Sequence, residues 1–250
     1  MKVTILQQNI AWMDAAANRQ HFEAAMLASP LGSDLYVLPE MWNTGFVADP
    51  SQVAETDDGE SVGWMLNMAR RLDAAVAGSV AVRVGEGDYR NRFFFATPDG
   101  LAGHYDKHHL FSYGGENHCY TVGNERVVVA WRGVRFLLLV CYDLRFPIWS
   151  RNADDYDAIL YVANWPTARD LAWRTLLRAR AIENQCYVVG VNRVGNDPSC
   201  SYQGCSAIVG PYGEAEECPA GIETTLTGTI DIPFLRHFRE KFPVLAERDW

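Results

Sequence analysis

The chain has 250 residues, 48% of them hydrophobic and 21% charged, and its 22 Lys and Arg against 31 Asp and Glu leave a formal net charge of −9. That much apolar material excludes a disordered chain, and the acidic balance argues against a nucleic-acid partner. No Gly/Ser-rich or Pro-rich stretch divides the sequence, and a single domain over residues 1–250 is expected. The longest apolar stretch, 136–142, falls far short of the roughly 18 residues that a membrane span requires. Met1 opens into Lys2-Val3-Thr4-Ile5-Leu6, too short an apolar run for a signal peptide, so a cytoplasmic location with no membrane partner is expected. The six cysteines, Cys119, Cys141, Cys186, Cys200, Cys205 and Cys218, form no C-x-x-C pair, which predicts neither a disulfide framework nor structural zinc.

In chain order, residues 3–7 read as a strand, Phe22, Ala25 and Met26 mark a helix face, and 35–38 read as a second strand. Val62, Met65, Leu66, Ala69 and Leu72 recur at helical spacing. Strand-like runs follow at 75–84, 92–97, 101–105, 127–131 and 135–140, with Val84-Gly85-Glu86-Gly87-Asp88 as a hairpin turn between the first two. Residues 159–163 read as a strand, Asp170 as the cap of a helix running to about Asn184, and 187–191 as a strand again. The last quarter reads as strands joined by turns. Asp34-Leu35-Tyr36-Val37-Leu38-Pro39 is echoed by Asp157-Ala158-Ile159-Leu160-Tyr161-Val162, which fits two similar halves packed sheet against sheet with helices outside.

Ligands of parallel sheets bind beyond the carboxyl ends of the strands, so the residues that follow each apolar run carry the chemistry. Those residues are Pro39-Glu40-Met41-Trp42, Asp106-Lys107-His108-His109, Cys141-Tyr142-Asp143 and Asn164-Trp165-Pro166. Cys141, taken alone, reads as a buried core thiol; as a nucleophile it needs a base or a cation beside it. Glu40, at a strand end among apolar neighbours, is placed to be a desolvated base, or else an N-cap or surface ion-pair member. Lys107 offers a positive charge to an oxyanion and would favour thiolate in a crowded site; otherwise it is a solvated loop lysine. Glu116 lies in a glycine-bearing loop able to carry it back over the site. His104 and His108 stand four apart but follow a strand, and His109-Leu110-Phe111 reads as a packed, hydrogen-bonded loop, so no metal is expected. The arginines from Arg169 to Arg180 read as one solvated or interface helix face.

Together these residues resemble the nitrilase, or carbon–nitrogen hydrolase, superfamily. The likeness is carried by Leu38-Pro39-Glu40-Met41-Trp42-Asn43-Thr44-Gly45-Phe46, Tyr105-Asp106-Lys107-His108-His109-Leu110-Phe111, Val140-Cys141-Tyr142-Asp143-Leu144-Arg145-Phe146-Pro147 and Ala163-Asn164-Trp165-Pro166. The resemblance implies an α/β fold, a four-layer αββα sandwich, and a cofactor-free catalytic set of Glu40 as base and acid, Lys107 as oxyanion partner and Cys141 as nucleophile. It adds Glu116 as a second glutamate and the backbone N–H of Tyr142 as an oxyanion donor. Within the superfamily, Pro39-Glu40-Met41-Trp42-Asn43-Thr44-Gly45-Phe46 and the stretches 104–116 and 141–151 look most similar to omega-amidases. That branch implies a small-molecule partner, an ω-monoamide of a dicarboxylic 2-oxo acid, whose distal carboxylate needs a donor. Arg145, Arg169 and Arg174 are candidates for that donor, with Tyr113 and Trp165 as pocket walls. The family also implies a homodimer or higher homo-oligomer through helices matching 145–152 and 170–184. The competing readings are another carbon–nitrogen hydrolase with the same catalytic set, a binding protein that keeps the fold, and a His-Cys protease or thiol oxidoreductase.

Overall fold

Side chains two apart along a strand share a face, and this rule sorts the first half of the chain into layers. The structure, a computed structural model, describes residues 1–30 and 32–248, so Leu31, Asp249 and Trp250 of the expected domain lie outside the described residues. In β1 (Lys2–Gln7), Val3 and Ile5 enter one apolar cluster and Leu6 another. Helix α1 (Ala15–Ala28) follows, its N-terminus capped by the Asp14 side chain. Strand β2 (Leu35–Val37), α2 (Glu60–Leu72), β3 (Ala75–Gly85), β4 (Asp88–Thr97) and β5 (Gly100–Asp106) complete the first half. Gly85 pairs with Asp88 across the hairpin that joins β3 to β4. In β4, Phe93 and Phe95 join Val3 and Ile5, whereas Phe94 and Ala96 face the other way, onto Phe22 and Met26 of α1 and Met65 and Ala69 of α2.

The second half comprises α3 (Glu116–Cys119), β6 (Val128–Trp131), β7 (Val134–Val140), β8 (Ala158–Ala163), α4 (Asp170–Glu183) and β9 (Tyr187–Asn192). A small hairpin of β10 (Val194–Asn196) and β11 (Ser201–Gln203) leads to β12 (Ala207–Val209), β13 (Ala215–Glu217), β14 (Thr224–Thr229) and α5 (Ile232–Lys241). Two six-stranded sheets result, ordered β14-β1-β2-β3-β4-β5 and β13-β12-β9-β8-β7-β6. Read from opposite edges, the orders correspond: β1, β2 and β3 are parallel, as are β7, β8 and β9. The Asp34/Asp157 echo has a structural counterpart. Asp34 accepts from the backbone N–H of Lys2 at 2.8 Å and Asp157 from that of Arg135 at 3.0 Å, each carboxylate tying the start of the neighbouring strand to the central one.

The inner faces of the sheets pack together through Val3, Ile5, Phe93, Phe95 and Phe136, and α4 covers the outer face of the second sheet with Trp173 and Leu177. Gly190 permits that contact, since a Cβ there would stand 2.6 Å from a Leu177 methyl carbon. The fold is therefore a helix–sheet–sheet–helix sandwich of four layers. Among the described residues no helix is long and apolar enough to cross a membrane.

Three expectations need correction. The segment expected to be helical over 145–152 is a 3-10 turn only at Cys141–Arg145, because Pro147 drives Phe146 into an extended conformation (φ −114°, ψ 93°). Asp170 is the first residue of α4 and not its cap, which is Arg169, since a 3-10 turn at Thr167–Arg169 runs directly into the helix. The last quarter is not all strands and turns: α5 begins where the Asp231 side chain accepts from the N–H of Phe234, with Pro233 in its first turn.

Candidate active site

Four chain segments reach one rim, each at the end of a strand. β7 ends at Val140, and Cys141 turns at once into the left-handed region (φ +46°) to open the 3-10 turn. A non-glycine residue there carries a cost of about 1–2 kcal/mol, which the surrounding hydrogen bonds hold in place. The Cys141 Sγ lies 3.9 Å from the carbonyl oxygen of Asn164, just beyond β8, and the residue is partly exposed. Glu40 follows β2 and is buried, as are Lys107, just beyond β5, and Glu116, at the start of α3.

Lys107 Nζ donates to Glu40 Oε1 at 2.9 Å and to Glu116 Oε1 and Oε2 at 3.1 and 2.9 Å. Asn91 Nδ2 donates to both carboxylates, at 2.8 Å to Glu40 and 3.0 Å to Glu116. Glu40 Oε2 accepts from the backbone N–H of Asn164 at 2.8 Å, and Glu116 Oε2 from that of Phe111 at 2.6 Å. One ammonium thus serves two carboxylates, all with side chains out of solvent. Burial alone would push the Lys107 ammonium down, but Glu116 and Glu40 outweigh it and hold the lysine well above its ordinary value. Glu116 is raised by burial and by Glu40 against the pull of Lys107. The Cys141 thiol is pushed well up by burial and then by Glu40, with Lys107 opposing. Lys107 does pull toward thiolate as expected, but its charge is shared between two carboxylates and its pull is outweighed by burial and Glu40.

Above Cys141 opens a cavity of about 540 Å³, lined among others by Glu40, Lys107, Phe46, Phe111, Tyr113 and Arg169. Tyr113 is 89% exposed at its rim. Tyr142 is the second residue of the 3-10 turn, where backbone N–H groups have no partner within the turn, and its ring packs on Phe111 and Phe146. Trp165 is buried and lines, with Arg145, Arg169, Cys141 and Tyr142, a smaller adjoining pocket. Arg145 stacks 4.9 Å above the Trp165 ring and lies outside the main cavity. Of the three candidate arginines, Arg174 is engaged by Glu217 at 2.8 Å. Arg169 stands over the Phe111 ring at 5.2 Å and lines both spaces; neither it nor Arg145 is salt-bridged among the described residues.

Asn91 and the anchoring role of Asn164 escaped the sequence reading. A signal for Asn91 existed: it lies two and four residues before Phe93 and Phe95 on the face of β4 that enters the space between the sheets. The histidines near Lys107 are packed. His108 stacks on Trp149 at 3.7 Å, and His109 stacks on Phe146 at 3.8 Å with Nδ1 bonded to Asp143 at 2.8 Å. Among the described residues no group of three or more His, Cys, Asp or Glu is disposed to hold a metal ion.

Residues 2–240 match the family model described as carbon-nitrogen hydrolase. The chain is 47% identical over its whole length, and over 97% of the relative, to omega-amidase YafV of Escherichia coli (strain K12). It is 34% identical to 2-oxoglutaramate amidase of Bacillus subtilis (strain 168), covering 99% of this chain and 98% of the relative. A solved CN-hydrolase superfamily protein of Xanthomonas campestris, which carries an arsenic adduct in its active site, superposes with a TM-score of 0.96 at 42% identity, covering 100% and 97% of the two chains.

Proposed function

This chain belongs to the carbon–nitrogen hydrolase family, so it is a hydrolase of carbon–nitrogen bonds, and from that premise we propose that it releases ammonia from the terminal amide of small ω-monoamides of dicarboxylic 2-oxo acids. The compounds meant are 2-oxoglutaramate and 2-oxosuccinamate. The observation that carries the proposal is one cavity with Cys141, Glu40 and Lys107 at its floor and the guanidinium of Arg169, free of carboxylate partners among the described residues, on its wall. An amide presented to Cys141 has its distal carboxylate free to meet that cation. Arg169 takes this role in preference to Arg145 and Arg174.

Glu40 takes the proton from the Cys141 thiol as Sγ attacks the amide carbon, and the carbonyl electron pair moves onto oxygen. The Lys107 ammonium and the backbone N–H of Tyr142 stabilise that oxyanion. As the oxyanion collapses, the carbon–nitrogen bond breaks, Glu40 returns its proton to nitrogen, and ammonia leaves a thioester on Cys141. Water then loses a proton to Glu40 and attacks the thioester carbon; the carbon–sulfur bond breaks, and the thiolate regains the proton. Glu116 holds Lys107 and Glu40 in register through both halves, and no cofactor enters. A resting thiol fits this order, since the base is already at hand to remove its proton when substrate arrives.

The exposed side chains of Ile148 (73%), Leu171 (81%) and Ile182 (52%) support association into a homodimer or higher homo-oligomer through the segment after Cys141 and α4. A cytoplasmic location completes the proposal.

The test is ammonia release from 2-oxoglutaramate, 2-oxosuccinamate, glutamine, an aliphatic nitrile and an N-carbamoyl amino acid, with Cys141→Ala alongside. Turnover confined to the oxo-amides and abolished in Cys141→Ala is expected. Turnover of only the nitrile or the carbamoyl compound would overturn the substrate class, and full activity in Cys141→Ala would overturn the mechanism.

A further inference from the structure

Asp143 lies two residues beyond Cys141 and is wholly buried, yet among the described residues no Lys or Arg forms a salt bridge with it. Both its oxygens are filled from two directions. On the nucleophile's side, Oδ2 accepts from the backbone N–H of Val140 at 2.9 Å, the residue before Cys141. On the lysine's side, Oδ2 accepts from the Tyr105 hydroxyl at 2.8 Å, and Oδ1 from the backbone N–H and the Nδ1 of His109 at 2.9 and 2.8 Å. Tyr105 and His109 flank Lys107 two residues to either side. The Tyr105 oxygen is itself held by the N–H of His108 at 3.0 Å and the indole N–H of Trp149 at 3.1 Å, so its proton has one direction to go. Burial and then Asp143 raise the Tyr105 phenol well above its ordinary value, which keeps it a donor.

We propose that Asp143 is the positioning residue of this active site: its carboxylate clamps the left-handed turn of Cys141 to the segment that carries Lys107, setting the distance between nucleophile and oxyanion partner. Its carboxylate bonds directly to the backbone N–H of Val140, beside Cys141, and to that of His109, two residues beyond Lys107. A carboxylate suits the task because four donors converge on it and it brings none of its own. Asparagine keeps the shape but turns an N–H toward at least one of those donors. The inference rests on the roles proposed for Cys141 and Lys107.

The test is steady-state kinetics of Asp143→Asn and Tyr105→Phe on 2-oxoglutaramate, with kcat corrected for the folded fraction from circular dichroism. A displaced nucleophile predicts for Asp143→Asn a fall in kcat of about a hundredfold with KM held within about threefold. Tyr105→Phe, which removes one donor and no buried charge, is expected to lose about tenfold in kcat with the same constancy of KM. A corrected kcat within about threefold of wild type in Asp143→Asn overturns the proposal. Should Asp143→Asn not fold, a wild-type kcat in Tyr105→Phe overturns it equally. Cys141→Ala separates the two claims: its retained turnover defeats the catalytic reading, whereas a dead Cys141→Ala beside a fully active Asp143→Asn defeats only the clamp.

Discussion

Glu40 and Asn164, 124 residues apart, hold one another at both ends: the Asn164 backbone N–H donates to Glu40 Oε2 at 2.8 Å, and its side-chain Nδ2 donates to the Glu40 carbonyl oxygen at 2.6 Å. The pair joins the end of β2 to the end of β8, one strand from each sheet. Removing the side chain frees the Glu40 main chain while leaving the carboxylate bond intact. Asn164→Ala is expected to lower kcat by about 10–100-fold with a smaller change in KM, measured by ammonia release from folded protein.

Asn91 separates two carboxylates that share one lysine. Asn91→Asp, which has the same shape, places a third carboxylate against Glu40 and Glu116. The expected loss is about 3–5 kcal/mol near neutral pH. Because those neighbours raise the pKa of the new group in the folded protein, the loss grows as pH rises and shrinks on acidification. Urea unfolding at pH 5 and pH 8 checks both magnitude and sign.

Arg169 and Arg174 make opposite predictions although both lie on the run of arginines singled out from the sequence. Arg169→Met is expected to raise KM for 2-oxoglutaramate by about 10–100-fold, the worth of a charge-assisted contact, and to leave a neutral amide of similar length unaffected. Arg174→Met, which loses its ion pair with Glu217, leaves both KM values unchanged. An equal loss on charged and neutral amides in Arg169→Met would remove this arginine from carboxylate recognition.

The alkaline limb of stability carries the mark of the cluster. Cys141 and Lys107 both have folded-state values raised above their ordinary 9.0 and 10.5. A raised group contributes stability that is fully present below its unfolded value and is lost as pH rises through the folded one. Wild type should therefore lose stability from about pH 9 upward as the thiol ionises only in the unfolded chain. Cys141→Ala lacks that contribution, so its melting temperature relative to wild type should climb between pH 9 and pH 11. A parallel fall of the two proteins across that range would refute the raised thiol.

The sequence by itself determined the strands and what stands at their ends, because continuous apolar, β-branched runs and the polar residue after each of them are local signals. Residues 3–7, 75–84 and 159–163 needed nothing beyond their own pattern. The placement of Glu40, Lys107 and Cys141 just beyond strands β2, β5 and β7 was legible for the same reason. Helix α5 went unread although Leu235 and Phe238 form a buried face and Asp231 caps it: its ten residues are rich in charge and aromatics, and its packing partners lie far away in the chain. Nor was the unwinding of 146–152 legible, where Pro147 overrides a helical reading borrowed from likeness.

What only the tertiary structure decided is electrostatic and long-range. Lys107 beside Cys141 argues for thiolate until Glu40 and Glu116 are both found on the same ammonium, where burial and the nearby Glu40 outweigh its pull on the thiol. Asn91 stands just before the run read as a strand at 92–97, and only the fold, which extends that strand back to Asp88, turns it toward both glutamates. Among the three arginines, Glu217, which lies 43 residues from Arg174, occupies that one, while Arg169 lines the main cavity and Arg145 does not. Pairings of this kind depend on which strand ends meet, and no spacing along the chain encodes that.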